Sequence, residues 1–272
     1  MNPSNTDRAF SGSIPQLYER LLVPLIFEPY ATDLARRVAQ RAPRRVLEIA
    51  AGTGVVTRHL AKLLPASVAI VATDLNPPMI EHAAAIGTSR PVDWRQADAM
   101  QLPFDDGTFD AVVCQFGVMF FPDKGKAFAE ARRVLRPGGT LLFNAWDRIE
   151  ENEFALVVTE ALATAFPDDP PRFMARVPHG YHARTTIAGD LARGGFGQVP
   201  EITTIAARSI ADSPRVPATA YCQGTPLRNE IEARDAKRLE EVTDLAADAI
   251  ARRFGPGAVD GKIQAHVVTV ER

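Results

Sequence analysis

The 272-residue chain is predicted to adopt an α/β fold with a seven-stranded, mostly parallel sheet and helices on both faces. Three observations predict this fold. Short apolar segments alternate with helical patterns from residue 44 onward, a turn with two glycines follows the first apolar segment, and Pro137-Gly138-Gly139 stops a later helix. Alternation of this kind is typical of a parallel sheet with right-handed crossovers.

The segment before residue 44 predicts helices and no strand. Apolar residues recur there at near-helical spacing, namely Ile14, Leu17, Leu21, Leu22 and Leu25. Pro24 interrupts this first helix, and residues 30–41 continue as a second one. We therefore expect residues 1–43 to form an N-terminal helical lid or brace.

The central part of the sheet is predicted between residues 44 and 150. Its strands are residues 45–50, 68–73, 92–97, 109–115 and 140–145, and its helices are residues 56–64, 77–85 and 124–135. A proline at the start favours the second of these helices. The third strand has the weakest pattern because Arg95 and Gln96 interrupt its apolar residues.

Residues 151–272 are predicted to complete the sheet. Helices are expected over 151–166, 185–193 and 229–254, a proline-rich loop over 167–178, and alternating strands over 199–207 and 263–270. Asn229 is the expected cap of the long helix, with Glu232 three residues on, and Gly255-Pro256 ends it. Its apolar stripe is expected to pack on the domain, and a homodimer interface is the alternative. That stripe comprises Ile231, Leu239, Val242, Ala246 and Ala249.

Composition and charge exclude several classes of protein. A net charge of −2 gives no basic surface of the kind that nucleic-acid-binding domains carry. No apolar run reaches the roughly 20 residues that cross a bilayer, and the first 13 residues lack a signal-peptide pattern. Cys114 and Cys222, the only cysteines, exclude a disulfide scaffold and fit a reducing compartment. We expect a cytoplasmic protein that neither binds nucleic acid nor inserts into a membrane.

The strongest local signal is the segment Val46-Leu47-Glu48-Ile49-Ala50-Ala51-Gly52-Thr53-Gly54. An apolar strand ends there in a turn with two glycines, and a helix starts at once. Glycine is needed where a backbone turns tightly and a ligand approaches with no Cβ in the way. Other nucleotide-binding α/β folds share such a turn, and so does a plain strand–helix connection.

Asp74 closes the second predicted strand, about twenty residues beyond the glycines. A carboxylate at this edge of the sheet can accept hydrogen bonds from both hydroxyls of a ribose, and open α/β sheets bind ligands there. The same spacing suits a nicotinamide dinucleotide, and an aspartate that caps the next helix would look alike. The glycine turn and Asp74 alone leave the cofactor open.

Two further segments distinguish these alternatives. Asp98 and Ala99 follow the third strand within residues 97–104, and the Pro-Gly-Gly turn lies within residues 133–142. In this order and spacing, the four motifs resemble the class I S-adenosylmethionine-dependent methyltransferases, especially the ubiquinone/menaquinone-biosynthesis-like (methyltransferase type 11) branch. The resemblance covers about residues 44–146 and implies a Rossmann-like fold. It also implies that S-adenosylmethionine is the cofactor. Residues 151–272, which lie beyond the resemblance, are expected to form a substrate cap.

The resemblance implies twelve cofactor-binding residues. They are Glu48, Ala50, Gly52, Thr53, Gly54, Asp74, Leu75, Met79, Asp98, Ala99, Gln115 and Phe116. Glu48 would orient the turn or reach the cofactor's amino group through water, and Gly52 and Gly54 would let the backbone pass under the methionine. Gln115 and Phe116 would line the methionine end.

The adenosine end of the cofactor is assigned to the next two loops. Asp74 would hold the ribose, and Leu75 or Met79 would pack on the adenine. Asp98 would accept a hydrogen bond from the adenine amino group, and the Ala99 N–H would donate to a ring nitrogen.

Two positions distinguish this glycine turn from the turns of related cofactor-binding proteins. The family commonly has glycine where this chain has Ala50, and the extra methyl group costs little if the φ angle is negative. A dinucleotide-binding turn would have a third glycine where this chain has Thr57, which disfavours a nicotinamide cofactor.

No catalytic triad or metal cluster is visible in the sequence, which fits methyl transfer because the cofactor carries the activated group. The expected acceptor-facing residues are Tyr18, Met119, Phe120, Trp146, His179 and Tyr181. Their mostly aromatic character favours an apolar or aromatic small molecule as the acceptor. The methyl group would be transferred by in-line displacement to an oxygen, nitrogen or carbon atom of that molecule. The alternatives are a nicotinamide-dependent oxidoreductase and a non-catalytic S-adenosylmethionine-binding protein.

Overall fold

The computed structural model describes residues 6–272, in which seven strands form one open sheet of order β3-β2-β1-β4-β5-β7-β6. The strands are β1 (Arg45–Ile49), β2 (Ala69–Asp74), β3 (Asp93–Gln96), β4 (Phe109–Gln115), β5 (Leu135–Trp146), β6 (Glu201–Ala211) and β7 (Val259–Glu271). Strands β1 to β5 are parallel, and β7 runs antiparallel to both β5 and β6. The predicted α/β class, with a seven-stranded and mostly parallel sheet, is confirmed.

Helices connect the strands and cover the second half of the chain. They are α1 (Ile14–Leu17), α2 (Glu28–Gln40), α3 (Val55–Leu63), α4 (Pro77–Ile86), α5 (Lys124–Val134), α6 (Glu153–Ala165), α7 (Phe173–Arg176), α8 (Arg184–Arg193), α9 (Arg215–Gln223), α10 (Leu227–Asp235) and α11 (Leu239–Phe254). A π-helix, Tyr18–Phe27, joins α1 to α2. It contains Pro24, whose missing N–H removes a helical hydrogen bond.

The strand order explains where a ligand can bind. Strand β1 lies between β2 and β4, so the chain leaves β1 toward one side of the sheet first and toward the other later. At such a reversal the connecting loops separate, and a crevice opens at the carboxyl ends of the strands. The register pairs Ile49 with Thr73 and Asp74 with Gln96, which brings the ends of β1, β2 and β3 to one edge.

The second half differs from the prediction in its helices. The helix expected over 229–254 is two helices, α10 and α11, and α9 was not predicted. The first of these helices ends at Asp235. The Asp235 carboxylate accepts a hydrogen bond from the Lys237 N–H, and a separate turn begins there. Asn229 therefore caps no helix: it lies inside α10, and its side chain donates to the Thr6 carbonyl. The expected loop over 167–178 contains α7.

The remaining differences concern the strands, whereas the apolar stripe packs on the domain. Strand β5 begins at Leu135, so the Pro-Gly-Gly turn lies within the strand. The last strand, β7, fills an interior position, and β6 forms the edge. Ile231, Val242 and Ala246 of the stripe are fully buried within this chain, and α11 packs against α6 and α9. These side chains stabilise the fold, as expected for a stripe that packs on the domain.

Candidate functional site

A cavity of about 750 Å³ lies at the carboxyl ends of β1, β2 and β4. Most of the predicted cofactor-binding residues line it, namely Ala50, Gly52, Asp74, Leu75, Met79, Asp98, Ala99, Gln115 and Phe116. They come from four loops that are far apart in the sequence. The parallel register brings these loops together because each follows the carboxyl end of its strand.

The Asp74 carboxylate is held firmly in the wall of this cavity. Its Oδ2 accepts a hydrogen bond from the Gly52 N–H at 2.9 Å, and its Oδ1 accepts one from the Asn76 N–H at 2.8 Å. Burial raises the pKa of Asp74, although both backbone bonds favour the charged form. The carboxylate thus ties the glycine turn to the end of β2 and retains lone pairs for a ligand hydroxyl.

The glycine turn approaches the cavity through Gly52. Its φ is +58°, and a Cβ built there would lie 3.5 Å from Met79 Cε and 3.8 Å from the Tyr18 hydroxyl. Any longer side chain would enter the space between these residues. The left-handed backbone therefore favours glycine at this position, whereas a Cβ alone would make only ordinary contacts.

Three predicted cofactor-binding residues lie outside the cavity wall. Glu48 is buried beneath the turn, where its Oε2 accepts a hydrogen bond from the Thr57 hydroxyl at 2.6 Å. Burial raises the pKa of Glu48 to about 8. A Cβ at Gly54 would lie 2.8 Å from Trp94, so this glycine allows β3 to pack against the turn. Thr53 is buried, and its carbonyl accepts a hydrogen bond from Arg58.

Ala50 has a φ of +54°, so the condition under which its methyl group would cost little is not met. An L-residue pays about 1–2 kcal/mol in this region because its Cβ approaches the following carbonyl. The methyl group also affects a neighbour: a Cβ added to Gly117 would lie 2.5 Å from Ala50 Cβ and 2.7 Å from Cys114 Sγ. Glycine at 117 thus accommodates the methyl group at 50.

The N-terminal segment completes the cavity. Arg8, Phe10 and Tyr18 line it, and the Phe10 N–H lies 3.4 Å from Asn76 Oδ1 as a long hydrogen bond. The buried Asp7 carboxylate forms a two-pronged ion pair with Arg176 of α7, at 2.7 and 2.8 Å. Sequence reasoning missed these contacts. Phe10, the only aromatic residue among the first seventeen, was the one available signal.

A second cavity of about 440 Å³ adjoins the first, and its walls are almost entirely aromatic and aliphatic. The two share Phe10, Tyr18, Phe116 and Phe120. The Phe116 ring stacks on Trp146 with centroids 3.8 Å apart and planes 4° apart. Phe116 also has a φ of +51°, a strained backbone of the kind that clusters at functional sites.

Three of the expected acceptor-facing residues, Tyr18, Phe120 and Trp146, line this second cavity. The other three lie elsewhere. Met119 and Tyr181 line a separate cavity together with residues of α7 and α8, and the Tyr181 hydroxyl donates to Asp190 there. His179 is buried outside both walls, its Nδ1 bonded to the Asp147 carbonyl at 2.8 Å, and burial lowers its pKa to about 4. Their positions do not support a direct contact with the acceptor.

Residues 6–272 contain no group of three or more His, Cys, Asp or Glu side chains placed to hold a metal ion. In the same part of the chain, we find no helix long and apolar enough to cross a membrane. Both cysteines are buried thiols.

The first cavity fits S-adenosylmethionine. Asp74 would hold the ribose hydroxyls, Asp98 and Ala99 would face the adenine, and the Gly52 turn would pass under the methionine. The unfilled space above the Gly52 Cα, into which a Cβ would project, supports this fit. When bound, the cofactor would supply a methyl group on a positively charged sulfur.

Comparisons with known proteins agree with this geometry. The methyltransferase-domain family matches residues 47–143. A demethylmenaquinone methyltransferase of Thermus thermophilus is 32% identical over 197 residues, which cover 68% of this chain and 88% of that protein. A ubiquinone/menaquinone biosynthesis C-methyltransferase of Geobacter is 36% identical over 146 residues, 50% of this chain and 60% of that protein.

A solved structure shows the same fold. The phosphoethanolamine N-methyltransferase 2 of Haemonchus contortus, in complex with phosphomonomethylethanolamine and S-adenosylhomocysteine, aligns with a TM-score of 0.61 and 16% identity. The alignment covers 98% of this chain and 59% of that one.

Proposed function

Because this chain belongs to the ubiquinone/menaquinone-biosynthesis-like branch of the class I S-adenosylmethionine-dependent methyltransferases, we propose that it methylates a small, planar, quinol-like aromatic molecule. The enzyme class and the cofactor follow from the family. The acceptor is inferred from one observation, the aromatic cavity that adjoins the cofactor cavity.

The chemistry of the second cavity favours an uncharged ring. Within the described chain, no Asp, Glu, Lys, Arg or His side chain lines it. A charged acceptor would lose its hydration there without a compensating partner. Rings such as Phe116, Phe120 and Trp146 offer faces and edges against which a planar molecule can pack.

The arrangement of the two cavities suits in-line displacement. The acceptor atom would form a bond to the methyl carbon while the carbon–sulfur bond breaks, sulfur would keep the bonding pair, and the acceptor would release a proton. The protein's part is to align the two molecules and to exclude water. Alignment of this kind can contribute about 7–11 kcal/mol. Phe116 and Tyr18, which border both cavities, would set the separation between donor and acceptor.

The alternatives have less support. A nicotinamide cofactor needs room at the position of Thr57, whose hydroxyl instead binds the buried Glu48. A protein that only binds S-adenosylmethionine would have no use for an aromatic cavity that shares Phe116 and Phe120 with the cofactor cavity.

Two measurements test the proposal. Calorimetric titration with S-adenosylmethionine, S-adenosylhomocysteine and NADH should show binding of the first two only. Transfer of a labelled methyl group should then be detected to 1,4-naphthohydroquinone and be absent with phosphoethanolamine. Transfer to the charged amine with none to the aromatic acceptor would overturn the proposed acceptor class while leaving the cofactor assignment intact.

A further inference from the structure

A tyrosine hydroxyl without a hydrogen-bond partner lies in the wall of the aromatic cavity. Tyr221 of α9 lines this cavity and is only 2% exposed. Across residues 6–272, no group is placed to donate to or accept from its hydroxyl. A hydroxyl at a cavity wall that forms no hydrogen bond within the protein remains free to bond to a ligand.

Two of the other three tyrosines of the chain have a hydrogen-bond partner within the protein. The Tyr30 hydroxyl donates to the Ile205 carbonyl at 3.1 Å, and the Tyr181 hydroxyl donates to Asp190 at 2.7 Å. Tyr18 directs its hydroxyl toward the glycine turn, 3.8 Å from the Cβ position of Gly52. The Tyr18 ring borders both cavities, and its hydroxyl lies on the cofactor side.

The neighbouring polar group in the same wall does not supply the partner. The Thr225 hydroxyl donates to the Tyr221 carbonyl at 2.8 Å and accepts from the Leu227 N–H at 3.1 Å. Thr225 is therefore engaged with the backbone between α9 and α10. The remaining walls of the cavity are hydrocarbon, sulfur and aromatic rings, apart from the Tyr18 hydroxyl and the indole N–H of Trp146.

We propose that Tyr221 determines acceptor specificity by donating a hydrogen bond from its hydroxyl to an oxygen atom of the acceptor ring. The inference rests on the proposed function and extends it, because it requires the planar acceptor to carry a carbonyl or phenolic oxygen. A buried hydroxyl that loses its partner is costly, so the cavity would bind a bare hydrocarbon ring less well.

Tyr221 acts as a donor and not as a base. Burial raises the pKa of its phenol well above the usual value, so the hydroxyl keeps its proton throughout the neutral range. The proton released by the acceptor therefore goes elsewhere. Tyr221 orients the ring by its oxygen, which fixes the ring atom that faces the cofactor cavity.

The test compares 1,4-naphthoquinone with naphthalene as probes in the presence of S-adenosylhomocysteine. Calorimetric titration should show that the wild type binds the quinone more tightly. In Tyr221→Phe, the quinone should bind about three- to tenfold more weakly, the range for one hydrogen bond, with naphthalene unchanged. Tyr181→Phe is the matched control, because its ring lines another cavity, and it should leave both affinities unchanged.

The thermal stability of the Tyr221→Phe variant separates recognition from a structural role. Since the lost hydroxyl has no partner in the protein, the melting temperature and the affinity for S-adenosylhomocysteine should be unchanged or slightly higher. Equal quinone affinity in Tyr221→Phe and the wild type would overturn the role of Tyr221 and leave the proposed function standing. Failure of the wild type to bind either ring would overturn both.

Discussion

Replacing Asp74 by asparagine tests whether the carboxylate at the end of β2 holds the cofactor ribose. The two carboxylate oxygens accept hydrogen bonds from the Gly52 and Asn76 N–H groups. An asparagine keeps the size but has only one oxygen, so one backbone N–H would face an amide NH₂. The ribose would also lose a charged acceptor.

The expected loss can be stated as an affinity. A hydrogen bond to a charged group contributes about 1.5–3 kcal/mol, which corresponds to a rise in Kd of roughly 10- to 150-fold. The assay is calorimetric titration of Asp74→Asn with S-adenosylmethionine, with urea unfolding in parallel to show that the variant is folded. Asp93→Asn is the control, because Asp93 is exposed on β3. Within residues 6–272, its carboxylate forms a salt bridge with Arg95 alone. A Kd within twofold of the wild-type value in folded Asp74→Asn would refute the reasoning.

Three further predictions follow from the site. Burial raises the pKa of Glu48 to about 8, so the folded protein keeps a proton that the unfolded chain loses near pH 4.5. The wild-type free energy of unfolding should therefore fall as the pH rises from about 4.5 to about 8. The expected slope is up to about 1.4 kcal/mol per pH unit. Urea unfolding across this range should show a smaller slope in Glu48→Gln. Ala50→Gly relieves the positive φ at the cost of backbone entropy, and should raise the free energy of unfolding by about 0.5 kcal/mol in urea. Arg176→Met breaks the ion pair that holds Asp7, and should raise the Kd for S-adenosylmethionine about tenfold by loosening the N-terminal segment.

Each of these predictions has an outcome that contradicts it. Equal pH slopes in the wild type and Glu48→Gln would mean that Glu48 is ionised in the folded protein. A loss of stability in Ala50→Gly would mean that the packing of the methyl group exceeds the strain. An unchanged cofactor affinity in Arg176→Met would show that the N-terminal segment needs no ion pair to stay in place; Arg193→Met, which removes a pair outside the site, is its control.

The sequence by itself determined the sheet and the edge at which the cofactor would bind. Strand–helix alternation is a local pattern, and the glycines, Asp74 and Asp98 each follow a strand. In a parallel sheet those positions must meet at one edge, so spacing alone predicted their proximity. The helix break at Asp235 was not predicted, because a side-chain hydrogen bond to the backbone overrode a continuous helical pattern.

Only the tertiary structure decided what each turn residue does and where the acceptor could bind. The left-handed backbone of Ala50, the contact of Gly54 with Trp94 and the burial of Glu48 against Thr57 depend on packing between separate elements. The aromatic cavity combines residues from the N-terminal segment, β5, α7 and α9, which no local pattern relates. Sequence periodicity reports which face of an element is buried; which side chains it is buried against is determined when the elements pack.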